Sequence, residues 1–350
     1  MARMKKTPPT VPPDESAQEP FPHDWTDIRG HADIIRRLRA LAAAGRLPHA
    51  LLFSGMEGIG KRRTARVLAR TLLCERAGDA PCGHCDSCRT MAAGVHPDYF
   101  ETAPEARGKS AAMIRTDAVR DILVAASGAP VSARRRIIVI DGADRMNETA
   151  ANRLLKTIEE PAGTALFILV TNAYDAILPT IRSRAVRIAF GALPHAEIAA
   201  VLAAHGMENA AAIAALADGS LGRAYTLAAE GLALRDEALA FLTEFETCSV
   251  ETVWARAEVL GARTHEERTA WISYVQMALR DMLVLCEDGA AEQLYHPDRR
   301  DVLQELLARM SRTQIFDLLH GTRELSRRFA ANVNPVLQVE AFMLRAQRNL

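Results

Sequence analysis

Four short apolar runs, "HALLFSG", "RRIIVID", "TALFILVTN" and "AVRIAF", constrain this chain more than any other feature. Each is bounded by turn or polar residues, and segments with helical periodicity lie between them. Uninterrupted apolar runs of this length belong to strands buried on both faces, and strands alternating with helices pair in parallel. The pattern predicts a doubly wound α/β domain from about Asp24 to Phe190. "DYFETAP" is a weaker candidate for a further strand. Upstream, Ile34, Ile35, Leu38 and Leu41 recur at helical spacing, and helical patterning returns from Arg62 to Cys74.

Beyond Phe190 the strand signals stop. Residues 191–233 read as short helices broken at Gly206, Gly219 and Gly231. From Leu234 to the end, longer amphipathic helices dominate. One runs through Trp271, Val275, Leu279 and Met282, and another through Val302, Leu306 and Met310. A last one starts at Asn334 as cap, with Pro335 at its first position. The expected division is a tail (1–22), an α/β nucleotide-fold domain (23–190), a small helical domain (191–233) and an all-α domain (234–350).

Composition excludes some functions. Lys plus Arg and Asp plus Glu both number 43, so formal net charge is zero. A protein that coats nucleic acid alone needs a basic excess, so DNA contact here is expected to be local or shared. Aromatics make up 5%, too few for base-stacking platforms. No apolar run approaches the roughly 20 residues that span a bilayer. The N-terminus, rich in proline and polar residues, lacks the apolar core of an export signal and reads as a disordered tail. A cytoplasmic, reducing location is the expectation, in which cysteines are more often metal ligands than disulfides.

"GMEGIGKRRTA" lies between a strand and a helix, the setting of a phosphate-binding loop. Gly55, Gly58, Gly60 and Lys61 keep the backbone cradle and the cation. The hydroxyl that ligates magnesium should follow the lysine, but that place holds Arg62. Asp141 ends "RRIIVID", where an acidic partner for the metal belongs. Gly142 stands where hydrolysing relatives carry the Glu that polarises water, and Asp144 is too far round the turn to replace it. Two catalytic groups are therefore missing. The expectation is a fold that no longer hydrolyses ATP, with nucleotide binding left open.

"CERAGDAPCGHCDSC" gathers Cys74, Cys82, Cys85 and Cys88 in one segment. Closely spaced cysteines can aim their sulfurs at one point, and four thiolates make a closed, structural tetrahedral zinc site. A disulfide cluster, an iron–sulfur site and free thiols are the alternatives. His84 and His96 are possible substitute ligands. Cys248 and Cys286 lie in helical segments and read as buried apolar residues.

The glycine loop, the inserted cysteine cluster, "GVHPDYF", "NRLLKTIEEP" and "TIRSRA" follow one another in an order that resembles bacterial clamp-loader subunits of the AAA+ superfamily. "NVNPVLQVEAFML" extends the resemblance towards the C-terminus. The altered loop and missing Glu look like the delta-prime type of DNA polymerase III, not the gamma/tau motor. The resemblance implies a non-hydrolysing stator with a helical lid and a helical collar. It would be part of a hetero-oligomeric ring with gamma/tau and delta subunits that loads a sliding clamp onto primed DNA during replication. It also implies that Arg184, after Ser183 in "RSRA", is an arginine finger acting on the neighbouring subunit's ATP. Ala185 replaces the family's Cys there, and Arg182 competes for the role. Thr171-Asn172 falls at the family's sensor place and is expected to cap its turn. Gly222 takes the place of a second sensor arginine, and Arg223 reads as solvated. In "NRLLKTIEEP", Leu154, Leu155 and Ile158 share one helical face; Lys156, Glu159 and Glu160 lie mostly elsewhere. The rival readings are an active ATPase motor, a zinc-dependent DNA-binding module, or a P-loop kinase with no visible acceptor site.

Overall fold

Alternate residues of each central strand point to opposite layers of helices. This is visible in a computed structural model that describes residues 21–105, 112–159, 164–245, 247–287, 293–329 and 334–348. The described residues divide into two compact units. One comprises those up to Ile198 together with Gly219–Arg223; the other comprises Ala199–Asp218 and the residues from Ala224 onward.

The elements of the first unit are α1 (Ala32–Ala43), β1 (Ala50–Ser54), α2 (Lys61–Leu73), α3 (Asp86–Ala92), β2 (Tyr99–Thr102), α4 (Thr116–Ser127), β3 (Arg136–Asp141), α5 (Glu148–Glu159), β4 (Ala165–Thr171), α6 (Pro179–Arg182) and β5 (Val186–Ala189). The five strands form one sheet in the order β2-β3-β4-β1-β5, and every pairing is parallel. "DYFETAP" does form a strand, at the sheet edge beside β3.

Leu51, Phe53, Ile137, Val139, Ile168 and Ile188 pack on one face against Leu38 of α1 and Val67 and Leu68 of α2. Leu52, Ile138, Ile140, Phe167 and Leu169 pack on the other face against Val119 and Ile122 of α4 and Leu154 and Ile158 of α5. Burial of both faces explains why these strands read as continuous apolar runs. Ile34 and Ile35 lie against the first of these cores, as their spacing predicts. Register brings Ser54 level with Thr171, and Asp141 level with Val170. The C-terminal ends of β1, β3 and β4 therefore meet, which is where open parallel sheets place their sites.

The remaining helices are α7 (His195–Ala204), α8 (Ala210–Leu216), α9 (Leu221–Glu230), α10 (Ala233–Glu244), α11 (Val250–Ala262), α12 (His265–Cys286), α13 (Arg300–Arg309), α14 (Arg312–Phe329) and α15 (Pro335–Arg348). Gly206, Gly219 and Gly231 all have φ between 71° and 84°, the left-handed geometry that ends a helix. In the second unit, Phe241 meets Phe245, Trp271 and Phe342 with ring centroids 5.2–6.1 Å apart. Trp271, Val275, Leu279 and Met282 are all buried. Thr264 and Glu267 form a reciprocal capping box that starts α12, and Asn334 Oδ1 accepts the Val336 N–H at 3.0 Å to start α15. No helix among the described residues is long and apolar enough to cross a membrane.

Of the expected tail, only Phe21 and Pro22 fall among the described residues. The Phe21 ring stands edge-on to Tyr99 at 5.5 Å, and the Pro22 carbonyl accepts from Arg70. Glu160 also lies outside the described residues. Cys248 and Cys286 are half-buried, not buried. Cys248 also falls outside the helices, in the turn between Glu244 and Val250, with its Sγ beside the Gln347 amide at 3.3 Å.

Candidate functional site

The loop between β1 and α2 turns through Gly55, Gly58 and Gly60, all at positive φ. At Gly58 a Cβ would lie 2.3 Å from Ser220 Oγ and 3.1 Å from Gly222 Cα, so no side chain fits there. Ser220 Oγ donates to Glu57 O at 2.8 Å, and Gly222 N–H donates to Gly58 O at 2.8 Å. The Gly219–Arg223 segment therefore seals the outer edge of the loop. The Arg223 side chain is exposed. His31 Nε2 donates to Ile59 O at 3.0 Å, and burial holds the imidazole below its ordinary pKa.

Lys61, at the first position of α2, is buried. Its Nζ donates to Met56 O at 2.5 Å and to Asn172 Oδ1 at 2.8 Å. The turn cap expected of Thr171-Asn172 is divided. Thr171 Oγ1 accepts the Ala173 N–H at 3.0 Å, whereas Asn172 spends its side chain on the lysine. An ammonium beside the end of β4 attracts the amide oxygen more strongly than a neutral backbone N–H does.

Arg62 lies between two carboxylates at the strand ends. Its Nε lies 2.6 Å from Glu101 Oε1 and 3.5 Å from Asp141 Oδ2. Arg66, one turn further along α2, reaches Glu101 Oε2 at 2.9 Å and Oε1 at 3.0 Å, and its guanidinium covers the Phe21 ring at 4.7 Å. Tyr99 Oη donates to the same carboxylate at 2.5 Å. Burial works to raise the Glu101 pKa, but the two guanidiniums and the phenol outweigh it and hold the carboxyl below its usual range. Burial, with the Glu101 charge beside it, pushes the Asp141 carboxyl above its usual range, and Arg62 and Lys61 only partly offset this.

Gly142 has φ of 71°, and a Cβ there would lie 2.7 Å from Pro104 Cγ. Asp144 is engaged at the end of β4: its Oδ1 accepts from Thr171 Oγ1 at 2.7 Å and from Asn172 N–H at 3.2 Å. Sequence reasoning identified Lys61, Arg62 and Asp141 but missed Glu101, Arg66 and Tyr99. Two arginines at i and i+4 on a buried helix face needed an acidic partner, and Glu101 on the weakest predicted strand is that partner.

Four cysteine sulfurs form a second cluster. Cys74 caps the end of α2, Cys82 lies in the connecting loop, Cys85 caps α3 and Cys88 sits in its first turn. The four sulfurs all lie within 4.8 Å of one another, close enough to share a metal ion. Cys82 N–H points to Cys74 Sγ and Cys88 N–H to Cys85 Sγ, each at 3.4 Å. Backbone donation, led by the His84 N–H, pulls the Cys82 thiol down to about 6, whereas burial pushes Cys88 up to about 12. Trp25 Nε1 anchors the loop by donating to Asp79 O at 2.9 Å. His84 is turned to Cys82 O, and His96 Nδ1 accepts the Asp98 N–H at 3.0 Å; neither joins the sulfur cluster.

Arg184 follows the short helix α6 beside the edge strand β5. Its Nη2 forms an ion pair with Glu159 of α5 at 2.7 Å, and the pair is 41% and 37% exposed. Its Nη1 donates to Thr180 O at 3.0 Å and to Ser183 Oγ at 3.1 Å. Arg182 is less exposed. It pairs with Asp175 at 3.0 Å and lies against the Tyr174 ring. Ala185 is buried.

Comparison with known proteins places the chain in a family. A family model described as DNA polymerase III, delta subunit, matches residues 30–194. The DNA polymerase III subunit delta-prime of Pseudomonas aeruginosa is 42% identical over 140 residues, 40% of this chain and 42% of that protein. Gamma/tau of Mycobacterium tuberculosis is 36% identical over 185 residues, 52% of this chain and 31% of that protein. The chain thus spans less than half the length of these two relatives. A solved structure, the Thermotoga maritima RuvB Holliday junction branch migration motor, superposes with a TM-score of 0.44 at 15% identity, covering 80% of this chain and 90% of that one. Such a likeness is too remote to bear on function. The DNA polymerase III subunit delta-prime of Escherichia coli is 30% identical over 321 residues, 90% of this chain and 93% of that protein. Matched nearly end to end, the chain belongs to the family of DNA polymerase III delta-prime subunits.

Proposed function

We propose that the protein is a non-hydrolysing stator of the DNA polymerase III clamp loader, which helps place the sliding clamp on primed DNA and lends Arg184 to an ATP held by the adjacent subunit. The observation that carries the reading is the Arg62 guanidinium set against Asp141 and Glu101. A fixed cation there takes the place of magnesium, which needs oxygen ligands and space for water. The missing base supports the same reading, because Gly142 faces Pro104 and has no room for a Glu. A gamma/tau-like motor is the rival. It predicts steady magnesium-dependent hydrolysis by the isolated chain, abolished by Lys61→Ala.

In this reading residues 23–190 are the nucleotide-fold domain, 191–233 the lid, and 234–350 the collar that joins gamma/tau and delta neighbours. The cysteine cluster holds structural zinc. Zinc–sulfur bonds of about 2.3 Å put tetrahedral sulfurs about 3.8 Å apart, and Cys74 and Cys85 Sγ are 3.9 Å apart. Four thiolates leave no open position for water, so the metal would contribute folding energy and no chemistry.

A positive charge supplied to a γ-phosphate stabilises the charge that develops in phosphoryl transfer, and removing such an arginine costs about a thousandfold or more at that site. The test is reconstitution with motor and delta subunits. DNA-stimulated ATPase is compared for wild type and Arg184→Ala, with assembly monitored by gel filtration. Loss of turnover in an assembled complex supports action in trans; unchanged turnover removes the assignment.

A further inference from the structure

The finger candidate is held from three sides by its own chain. Thr180 O accepts from both Ser183 Oγ, at 3.0 Å, and Arg184 Nη1, at 3.0 Å. Ser183 Oγ in turn accepts from Arg184 Nη1 at 3.1 Å. These contacts fix one edge of the guanidinium to the end of α6. The other terminal nitrogen, Nη2, is fixed by the Glu159 carboxylate at 2.7 Å, from the last turn of a different helix. A guanidinium carries five N–H donors in a rigid fork. The contacts described above engage Nη1 and one position on Nη2.

We infer that Glu159 is a positioning residue for Arg184: it clamps the guanidinium so that the remaining donors face outward at a fixed angle. The inference rests on the in-trans role proposed for Arg184 and adds a second residue to it. The pair links two segments, "TIEE" and "RSRA", that are distant in sequence. Arg184 is 41% exposed and Glu159 37%, so both are accessible to an adjoining chain. By contrast, Arg182 is 27% exposed and faces Asp175 and the Tyr174 ring.

An exposed ion pair of this kind contributes modestly, so Glu159→Ala is expected to lower the kcat of DNA-stimulated ATPase about two- to fivefold in the reconstituted complex. KM for ATP and complex assembly should stay at wild-type values, because Glu159 acts only through the guanidinium. Glu159→Asp should recover part of the loss. Glu159→Ala should have no further effect in an Arg184→Ala background. Wild-type kcat in Glu159→Ala, with Arg184→Ala impaired, overturns the clamp and leaves the finger standing. Unchanged turnover in Arg184→Ala overturns the finger and the clamp with it. Raised kcat in Glu159→Ala makes the carboxylate a restraint and overturns positioning. A fall in assembly or a parallel change in KM makes its role structural and also overturns the inference.

Discussion

Arg62 sits between two carboxylates, so replacing it by Thr tests the reading of the silent pocket. The substitution restores the residue type that follows the lysine in a working phosphate loop, yet removes a cation that this structure depends on. Arg62 is 30% exposed, Glu101 12% and Asp141 25%. Breaking a fully buried pair costs about 3–5 kcal/mol, and an exposed one about 1 kcal/mol or less. This site lies between those limits, and Arg66 remains as a second partner for Glu101. A loss of about 2 kcal/mol is the expectation, and for a domain of this size each kcal/mol moves Tm by about 2–4 °C. The unit bearing the sheet should therefore melt roughly 4–8 °C lower.

The pH dependence carries a sign. The Glu101 carboxyl lies below its ordinary value, so its contribution is present above the unfolded pKa and fades as pH falls through the folded one. The Asp141 carboxyl lies above its ordinary value, so its charge is a burden at neutral pH that protonation relieves. Without Arg62 the Asp141 value rises further. The deficit of Arg62→Thr should be largest at neutral pH and shrink as Asp141 protonates on acidification. Thermal melts followed by circular dichroism at a series of pH values read this directly. An unchanged Tm at neutral pH, or a deficit that does not shrink on acidification, would refute the claim that Arg62 serves as a fixed cation for these two acids.

Three further outcomes are expected. Cys85→Ala should abolish stoichiometric zinc, measured by plasma emission spectrometry, and lower the Tm of the same unit; retention of zinc by the variant would exclude the four-thiolate site. Gly142→Glu should fail to create hydrolysis even when combined with Arg62→Thr, because the new Cβ meets Pro104 at 2.7 Å and φ there is 71°; measurable magnesium-dependent turnover in the double variant would contradict this. Asp281→Asn should destabilise the all-α unit by about 2 kcal/mol, because this fully buried carboxylate accepts from Tyr295 N, His296 N and His296 Nδ1 at 2.8–3.0 Å. A denaturant midpoint equal to wild type would show that those bonds contribute nothing net.

Most of the α/β architecture was legible because its signals are local. A strand buried on both faces must be apolar throughout, so β1, β3 and β4 announced themselves. β2 was faint because all four of its residues are only partly buried. The cysteine cluster was legible because its ligands fall within one short segment. The site was only half legible. Lys61, Arg62 and Asp141 follow from motif spacing, but the partner of Arg62 and Arg66 is Glu101, 35 positions beyond Arg66, and only sheet pairing brings it there. The same limit hid the Glu159–Arg184 pair, whose members lie on elements separated by β4. Cys248 was misjudged for another reason: it lies in the turn between α10 and α11 instead of in a helix, where the Gln347 side-chain amide reaches it.

In the proposed reading the pocket is silent, and its charged groups have found partners within the chain. In a hydrolysing loop, the lysine, the polar group after it and the strand-end acid hold their charge for a ligand. Here Lys61 is committed to Met56 O and Asn172, Arg62 to Glu101 and Asp141, and Asp144 to the turn after β4. Buried charges left unpaired are strongly unfavourable, so a pocket that gives up its ligand must find internal partners for each of them. That requirement links the substitutions: an arginine beside Lys61 is tolerable because Glu101 and Asp141 balance it, and Asp141 is tolerable without magnesium because the arginine is there. Removing any one member should therefore register as lost stability of the fold and not as altered turnover. In the proposed reading Arg184 differs in kind, because it lies at the surface, 41% exposed, where its charge can reach a neighbour.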